Sequence, residues 1–308
     1  LITLFNNLSQ QDKRCVFLTV HDLGTNHSSL VDFVNSPAMT EIKERSCFIH
    51  VDVPGHEENS PDLPDSYQFP SLQTLGEDMI TVLDFLQIRY AVGLGEGAGA
   101  NVLARCGLAH PRRLLGLILV NCTASTSSVA DAFRSRFSRW RGADISQSEE
   151  DFLIYHKFGH VNRERTLAEY RSRLRGNLNT HNIKQYVKAF TNRKDLMLKG
   201  CQPDILLITG TLSPYSSVIE KLYKELDRDK ATILKVEKAG DVLAEAPAKV
   251  AQSLLLFCQG QGLLTSLPPP GVERRMSRAM SMEEYDKPNI RRLSLTPSMS
   301  ESPPPRKL

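Results

Sequence analysis

Eight consecutive residues constrain this chain more than any others: Gly93-Leu94-Gly95-Glu96-Gly97-Ala98-Gly99-Ala100. A strand-like stretch, Tyr90 to Val92, leads into them, and a helix-like stretch, Asn101 to Cys106, leads out. Strand, tight glycine turn and helix form an elbow that lifts one side chain above a sheet, most often the serine of Gly-x-Ser-x-Gly. Here no serine is present. If Gly95 and Gly99 flank the tip, the tip is Gly97; if Gly93 and Gly97 flank it, the tip is Gly95. In either register the elbow carries no nucleophile.

The rest of the chain alternates in a way that suits such an elbow. Apolar runs at Val16 to Val20, Cys47 to Val53, Ala91 to Val92, Leu117 to Val120, Ile205 to Thr209 and Thr232 to Val236 read as buried strands. Continuous apolar runs, rather than alternating ones, mark parallel strands covered on both faces. Leu72, Leu75, Met79, Val82 and Leu86 recur at helical spacing between two of them. Val102, Leu103, Cys106 and Leu108 start a second helix, and Val250, Leu254, Leu255 and Phe257 lie on a third. The pattern predicts an α/β protein: a mostly parallel, α/β-hydrolase-like sheet with helices on both faces. Residues 126–200 break the rhythm. Apolar residues there (Phe133, Phe137, Trp140, then Phe152, Ile154, Tyr155 and Phe158) recur at helical spacing among many charges. They predict an insertion of about four helices, a cap over the sheet edge where such folds place their sites.

With 308 residues and 41% hydrophobic content, the chain can build one large core plus an appendage. The net charge of +3 is unevenly placed. Residues 265–308 hold eight Lys/Arg and five Asp/Glu, which leaves 30 of each in residues 1–264. A formally neutral body argues against an extended nucleic-acid surface. Pro, Ser, Arg and Met dominate from about residue 265, and such a segment buries too little to offset its ordering entropy. The expected division is a folded domain over 1–264 and a disordered tail over 265–308. The chain opens on Leu1, so its natural start is left open. No apolar run reaches the ~18 residues of a membrane span, and no basic-then-apolar segment opens the chain. The six cysteines are scattered without Cys-x-x-Cys, as free buried thiols of a reducing compartment would be. The expected location is the cytoplasm.

In hydrolases of this architecture the triad follows the order nucleophile, acid, histidine. The acid would follow the strand ending at Thr209, where Gly210-Thr211-Leu212-Ser213-Pro214 puts Ser213 in the place of Asp. The histidine would follow the last strand, where Ala239-Gly240-Asp241 puts Asp241 in its place. The turn after Val20, expected to supply oxyanion donors, reads His21-Asp22-Leu23-Gly24 and offers a carboxylate instead. Gly97 cannot attack, Ser213 cannot hold an imidazolium, and Asp241 cannot relay a proton between two nitrogens. Glu96 reads as a solvated turn residue and His56 as a surface histidine. Gly95-x-Gly97-x-x-Ala100 also fits a dinucleotide fingerprint. That motif normally opens the sheet and is followed by an acid on the next strand; here earlier strands precede it and the next strand ends Val120-Asn121-Cys122. No Cys/His/acid cluster has metal-ligand spacing, and no cofactor is expected.

Val20-His21-Asp22-Leu23-Gly24, Pro54-Gly55-His56-Glu57-Glu58, Tyr67 to Leu72, Gly95 to Ala100, Leu103-Ala104-Arg105 and Gly116 to Asn121 together resemble the N-myc downstream-regulated (NDRG) family. The likeness is dense over residues 15–125 and weaker to about residue 262. It implies an α/β-hydrolase fold without hydrolase activity. It also implies a cytoplasmic protein of differentiation, growth and stress signalling, phosphorylated in its C-terminal tail. One departure is the start: the family's β-hairpin has no clear counterpart in Leu1 to Arg14, which leaves the sheet edge open.

The tail carries Arg three residues before Ser277, Ser281 and Ser294, a pattern read by basophilic Ser/Thr kinases through Arg–carboxylate pairs. Thr296-Pro297 adds a proline-directed candidate. Each phosphate adds about −1.5 to −2 charges, so two would bring the tail close to neutral. The expected partners are proteins, the kinases that act on the tail, and anionic membrane surfaces met peripherally. The competing expectation is a small-molecule binder, or weakly active hydrolase-fold protein, that uses the pocket under the cap.

Overall fold

The computed structural model describes residues 2–5, 15–126, 145–159 and 164–268, the first of these as backbone only. Seven strands form one sheet: β1 (Ile2–Phe5), β2 (Cys15–Val20), β3 (Ser46–Val51), β4 (Ala91–Glu96), β5 (Leu114–Val120), β6 (Asp204–Gly210) and β7 (Ala231–Val236). Their order is β1-β3-β2-β4-β5-β6-β7. All neighbours are parallel except β1, which runs antiparallel to β3 with Ile2 opposite Val51 and Phe5 opposite Phe48. The sheet edge left open by the sequence is therefore a real strand.

The helices are α1 (His27–Val34), α2 (Thr40–Glu44), α3 (Leu72–Phe85), α4 (Gly97–Ala109), α5 (Gln147–Phe158), α6 (Glu164–Gly176), α7 (Thr180–Thr191), α8 (Ser216–Glu225), α9 (Val242–Glu245) and α10 (Pro247–Gly260). They cover both faces of the sheet. A Cβ on Gly116 would strike the Phe257 ring of α10 at 2.7 Å, while a Cβ on Gly107 of α4 would meet Leu117 at 2.8 Å. Gly116 and Leu117 are successive in β5, so they point to opposite faces. Phe17, Leu18, Phe48, Ile49, Leu94 and Ile118 have no exposed surface, as a doubly covered parallel sheet requires.

One sequence expectation needs correction. β4 does not stop at Val92 but continues through Gly93, Leu94, Gly95 and Glu96, and α4 starts directly at Gly97. Four residues of the glycine run are therefore strand. They are glycine-rich because α4 packs hard against them: a Cβ on Gly95 would lie 2.7 Å from the Ala100 backbone. The insertion after β5 shows three helices among the described residues, α5 to α7; Phe133, Phe137 and Trp140 lie outside them. A capping box opens α5: Ser146 N–H donates to the Glu149 carboxylate at 2.7 Å while the Ser146 side chain caps the helix. Asn179 caps α7 by accepting from the Asn182 amide. Among the described residues, no helix is long and apolar enough to cross a membrane.

Candidate functional site

The structure resolves the register of the elbow. Gly97 is the junction of β4 and α4 and holds φ +52°, the left-handed region that favours glycine. Its flank Gly99 lies under β2, where a Cβ would come within 2.2 Å of the Val20 carbonyl. Gly95 and Gly99 are thus the close-approach glycines, and the tip is Gly97. The space above that tip is not empty. A Cβ on Gly97 would sit 2.0 Å from Asp22 Oδ1, 2.1 Å from Cγ and 2.2 Å from Oδ2. Asp22, from the turn after β2, has placed its carboxylate where a side chain of residue 97 would be.

That carboxylate is held by every neighbour it has. Asp22 Oδ1 accepts the Ala98 N–H at 2.8 Å and the Leu23 N–H at 2.7 Å. The amide after the elbow tip and one from the loop after β2 are the kinds of donor that stabilise an oxyanion in hydrolases. Here they bind a permanent anion. α4 has no cap from its own N-cap residue, Glu96, so Asp22 also serves as the acceptor at that helix N-terminus. Asp22 Oδ2 meets His156 Nε2 at 2.9 Å. Burial works against the charge on Asp22, but His156, the Ala98 amide and Lys157 outweigh it and hold the carboxyl below its usual range. His156 Nδ1 contacts the Tyr215 hydroxyl, giving a buried chain from Asp22 through His156 to Tyr215.

A second buried group lies alongside. Lys157 Nζ donates to Glu96 Oε1 at 2.7 Å and lies 3.2 Å from Asp241 Oδ2. All three side chains are buried. Burial disfavours the ammonium, yet Asp241 and Glu96 together raise its pKa and keep it charged. Glu96 is pushed up by burial, only partly offset by Lys157 and reinforced by Asp241 and Asp22. One cation shared by two carboxylates leaves the pair over-supplied with negative charge. Glu96 Oε2 has no hydrogen-bond partner among the described residues.

His156 and Lys157 are consecutive on α5, so the cap is pinned to the sheet by two buried polar side chains. α6 is tied to α5 in turn by Arg171 and Arg175, which hold the fully buried Glu150 at 2.8 and 2.6 Å. Sequence reasoning missed His156 and Lys157. A His-Lys pair inside the apolar run Phe152 to Phe158 was the available signal, but helical spacing alone puts it on a solvated face.

The other expected positions separate. Asp241 joins Lys157 and also caps α9, accepting from the Ala244 amide at 3.3 Å. Ser213 is buried but one step removed: its hydroxyl donates to Asn121 Oδ1 at 3.1 Å and accepts from the Tyr215 amide at 3.3 Å. His21 turns away from the carboxylate. Its Nε2 accepts the Val53 N–H at 3.2 Å, so Nδ1 carries the proton and donates to the Asp22 carbonyl at 2.8 Å. Gly24 holds φ +64° beneath Tyr170, whose hydroxyl a Cβ would meet at 2.5 Å. Two readings are overturned. Glu96 is not a solvated turn residue, since β4 runs under the cap to its end. His56 is not on the surface: it packs against the rings of His21 and Tyr186, at 5.3 Å from each, and burial pushes its pKa down to about 3. All six cysteines are free and buried, as expected. Ser277, Ser281, Ser294 and Thr296 lie outside the described residues.

A cavity of about 240 Å³ opens beside the cluster, walled by Gly24, Phe33, Lys157, Tyr170, Asp241 and Ala244 among others.

The profile of the Ndr family matches residues 2–265. The chain belongs to the Ndr family. An uncharacterised Caenorhabditis elegans protein is 39% identical over 94% of this chain and 89% of its own length. Protein NDRG1-A of Xenopus laevis is 32% identical over 89% of this chain and 72% of its own. Among solved structures, a thermophilic esterase from Thermogutta terrifontis superposes with a TM-score of 0.67 at 15% identity, over 85% of this chain and 93% of that one. At that identity the likeness shows the fold alone, so this Ndr-family chain has an α/β-hydrolase fold.

Proposed function

We propose that this Ndr-family protein is non-catalytic and works by binding other proteins in cytoplasmic signalling. In this reading Gly97, Ser213 and Asp241 stand at the degenerate nucleophile, acid and histidine positions, and His21, Asp22 and Gly24 form the former oxyanion turn. The observation that carries it is the Asp22 carboxylate, which fills the space above Gly97 and occupies the Ala98 and Leu23 amides. A substrate carbonyl would meet no nucleophile and an oxyanion site already holding negative charge. The family's link to differentiation, growth and stress supports a signalling role. Phosphorylation of Ser277, Ser281, Ser294 and Thr296 by Ser/Thr kinases would move the tail from basic toward acidic and change its protein partners or its contact with anionic membranes.

Purified protein assayed against short acyl esters tests the first half. We expect no turnover; turnover abolished by Asp22→Asn or Asp241→Asn would overturn the reading. A pull-down comparing the full chain with one ending at residue 264 tests the second, with mass spectrometry of protein from its native cells. Unmodified Ser277, Ser281 and Ser294 after kinase stimulation would remove the phosphorylation arm.

A further inference from the structure

We propose that the cavity beside the Lys157 cluster is a binding site for a small, neutral, amphipathic molecule with a hydroxyl or carbonyl head. This goes beyond the non-catalytic reading and does not depend on it. The cavity's volume of about 240 Å³ corresponds to roughly eight water volumes. It is therefore sized for a ligand smaller than most drug-like molecules.

The first argument is an orphaned hydroxyl. Tyr170 is 7% exposed and lines the cavity over Gly24, yet its O–H has no hydrogen-bond partner among the described residues. Ser36, which also lines the cavity, has a buried hydroxyl in the same condition. Buried polar atoms without partners are costly and uncommon. Two of them around one cavity point to a missing partner that sits in it. Both hydroxyls donate and accept, so a ligand hydroxyl or carbonyl satisfies them.

The second argument is charge. Each cation in the cavity wall is already matched: Lys157 by Glu96 and Asp241, and Arg173 by Asp32 at 2.6 Å. A carboxylate or phosphate ligand would find no free counter-charge and would face Asp241. An ammonium would find each wall carboxylate already paired as well: Asp241 with Lys157, Asp32 with Arg173 and Glu169 with Arg165. A neutral head escapes both penalties. Phe33, Phe158 and Leu178 supply an apolar wall for its tail.

The third argument is the glycine beneath. Gly24 has φ +64° and its missing Cβ makes room for the Tyr170 hydroxyl. The turn is thus shaped around that hydroxyl, although nothing among the described residues bonds to it.

The test uses the full chain and three probes of matched tail: hexanol, hexanoate and hexylammonium, titrated by calorimetry and by ligand-detected NMR. We expect saturable binding of hexanol, with both ions binding at least about tenfold more weakly, the size of a buried charge left without a partner. Tyr170→Phe keeps the ring and deletes the orphaned hydroxyl. It is expected to weaken hexanol about fivefold while raising the melting temperature of the free protein, since it removes an unsatisfied buried group. A purely structural tyrosine would not move the two readouts in opposite directions. Ala244→Phe, at an exposed position on the cavity wall, is expected to abolish binding without unfolding the protein. Absence of saturable hexanol binding, hexanoate or hexylammonium binding as tightly as hexanol, or hexanol binding unchanged in Ala244→Phe would each overturn the proposal. None of these results bears on ester turnover, so this inference and the non-catalytic reading fail separately.

Discussion

Gly97→Ala is the sharpest test of the site. The new methyl carries two costs. A non-glycine residue at φ +52° is strained by about 1 kcal/mol or more. The methyl also lands 2.0–2.2 Å from three atoms of the Asp22 carboxyl group, which must leave. On leaving, Asp22 gives up the Ala98 and Leu23 amides and His156. Hydrogen bonds to a charged group are worth about 1.5–3 kcal/mol each, so losing two of the three costs at least about 3 kcal/mol. The total is at least about 4 kcal/mol, a large share of the 5–15 kcal/mol typical of a domain. Urea unfolding of wild type, Gly97→Ala, Asp22→Gly and the double variant measures it. Once Asp22 has lost its side chain, Gly97→Ala should cost only the backbone term of about 1 kcal/mol, which leaves a coupling of about 3 kcal/mol between the sites. Additivity within about 0.5 kcal/mol, or a Gly97→Ala cost under about 1 kcal/mol, would refute the claim that Asp22 fills the elbow.

Lys157→Met should destabilise by about 3–5 kcal/mol, because it strands Glu96 and Asp241 without their shared cation. A loss below about 1 kcal/mol by chemical denaturation would mean that water reaches the cluster. Stability should also fall on acidification below pH 6.5. Burial depresses His56 to about 3 and His50 to about 4, so between these values and 6.5 the unfolded chain binds protons that the native state refuses. Each such histidine costs about 1.4 kcal/mol per pH unit there; His56→Asn should flatten the slope between pH 6 and 4.5, and an unchanged slope would count against a buried neutral His56. Finally, Cys106 and Cys122 are fully buried with thiols pushed up to about 12. A thiol reagent at neutral pH should label them only at the global unfolding rate, and rapid labelling of the native protein would contradict their burial.

Much of this protein was readable in the sequence because it rests on local rules. Continuous apolar runs mark doubly covered strands wherever they occur, and the glycine run marks a close strand–helix junction even without a serine. The absence of a side chain at Gly97, of an acid at Ser213 and of an imidazole at Asp241 is a property of the residues themselves. The edge strand β1 was not readable, since four residues carry too little pattern. The extent of β4 was misread because Gly93 and Gly95 look like a turn, although they are strand residues thinned to admit α4.

What fills the site was decided by tertiary structure. Asp22 and Gly97 are far apart in the chain, and only the parallel pairing of β2 with β4 brings the turn of one over the elbow of the other. His156 and Lys157 lie further away still. Their polar ends read as solvent-facing until the cap folds onto the sheet and removes water from both. A sequence can show that an elbow has lost its nucleophile; the fold determines that a carboxylate from another strand takes the vacated space, because burial makes every donor around it seek an acceptor.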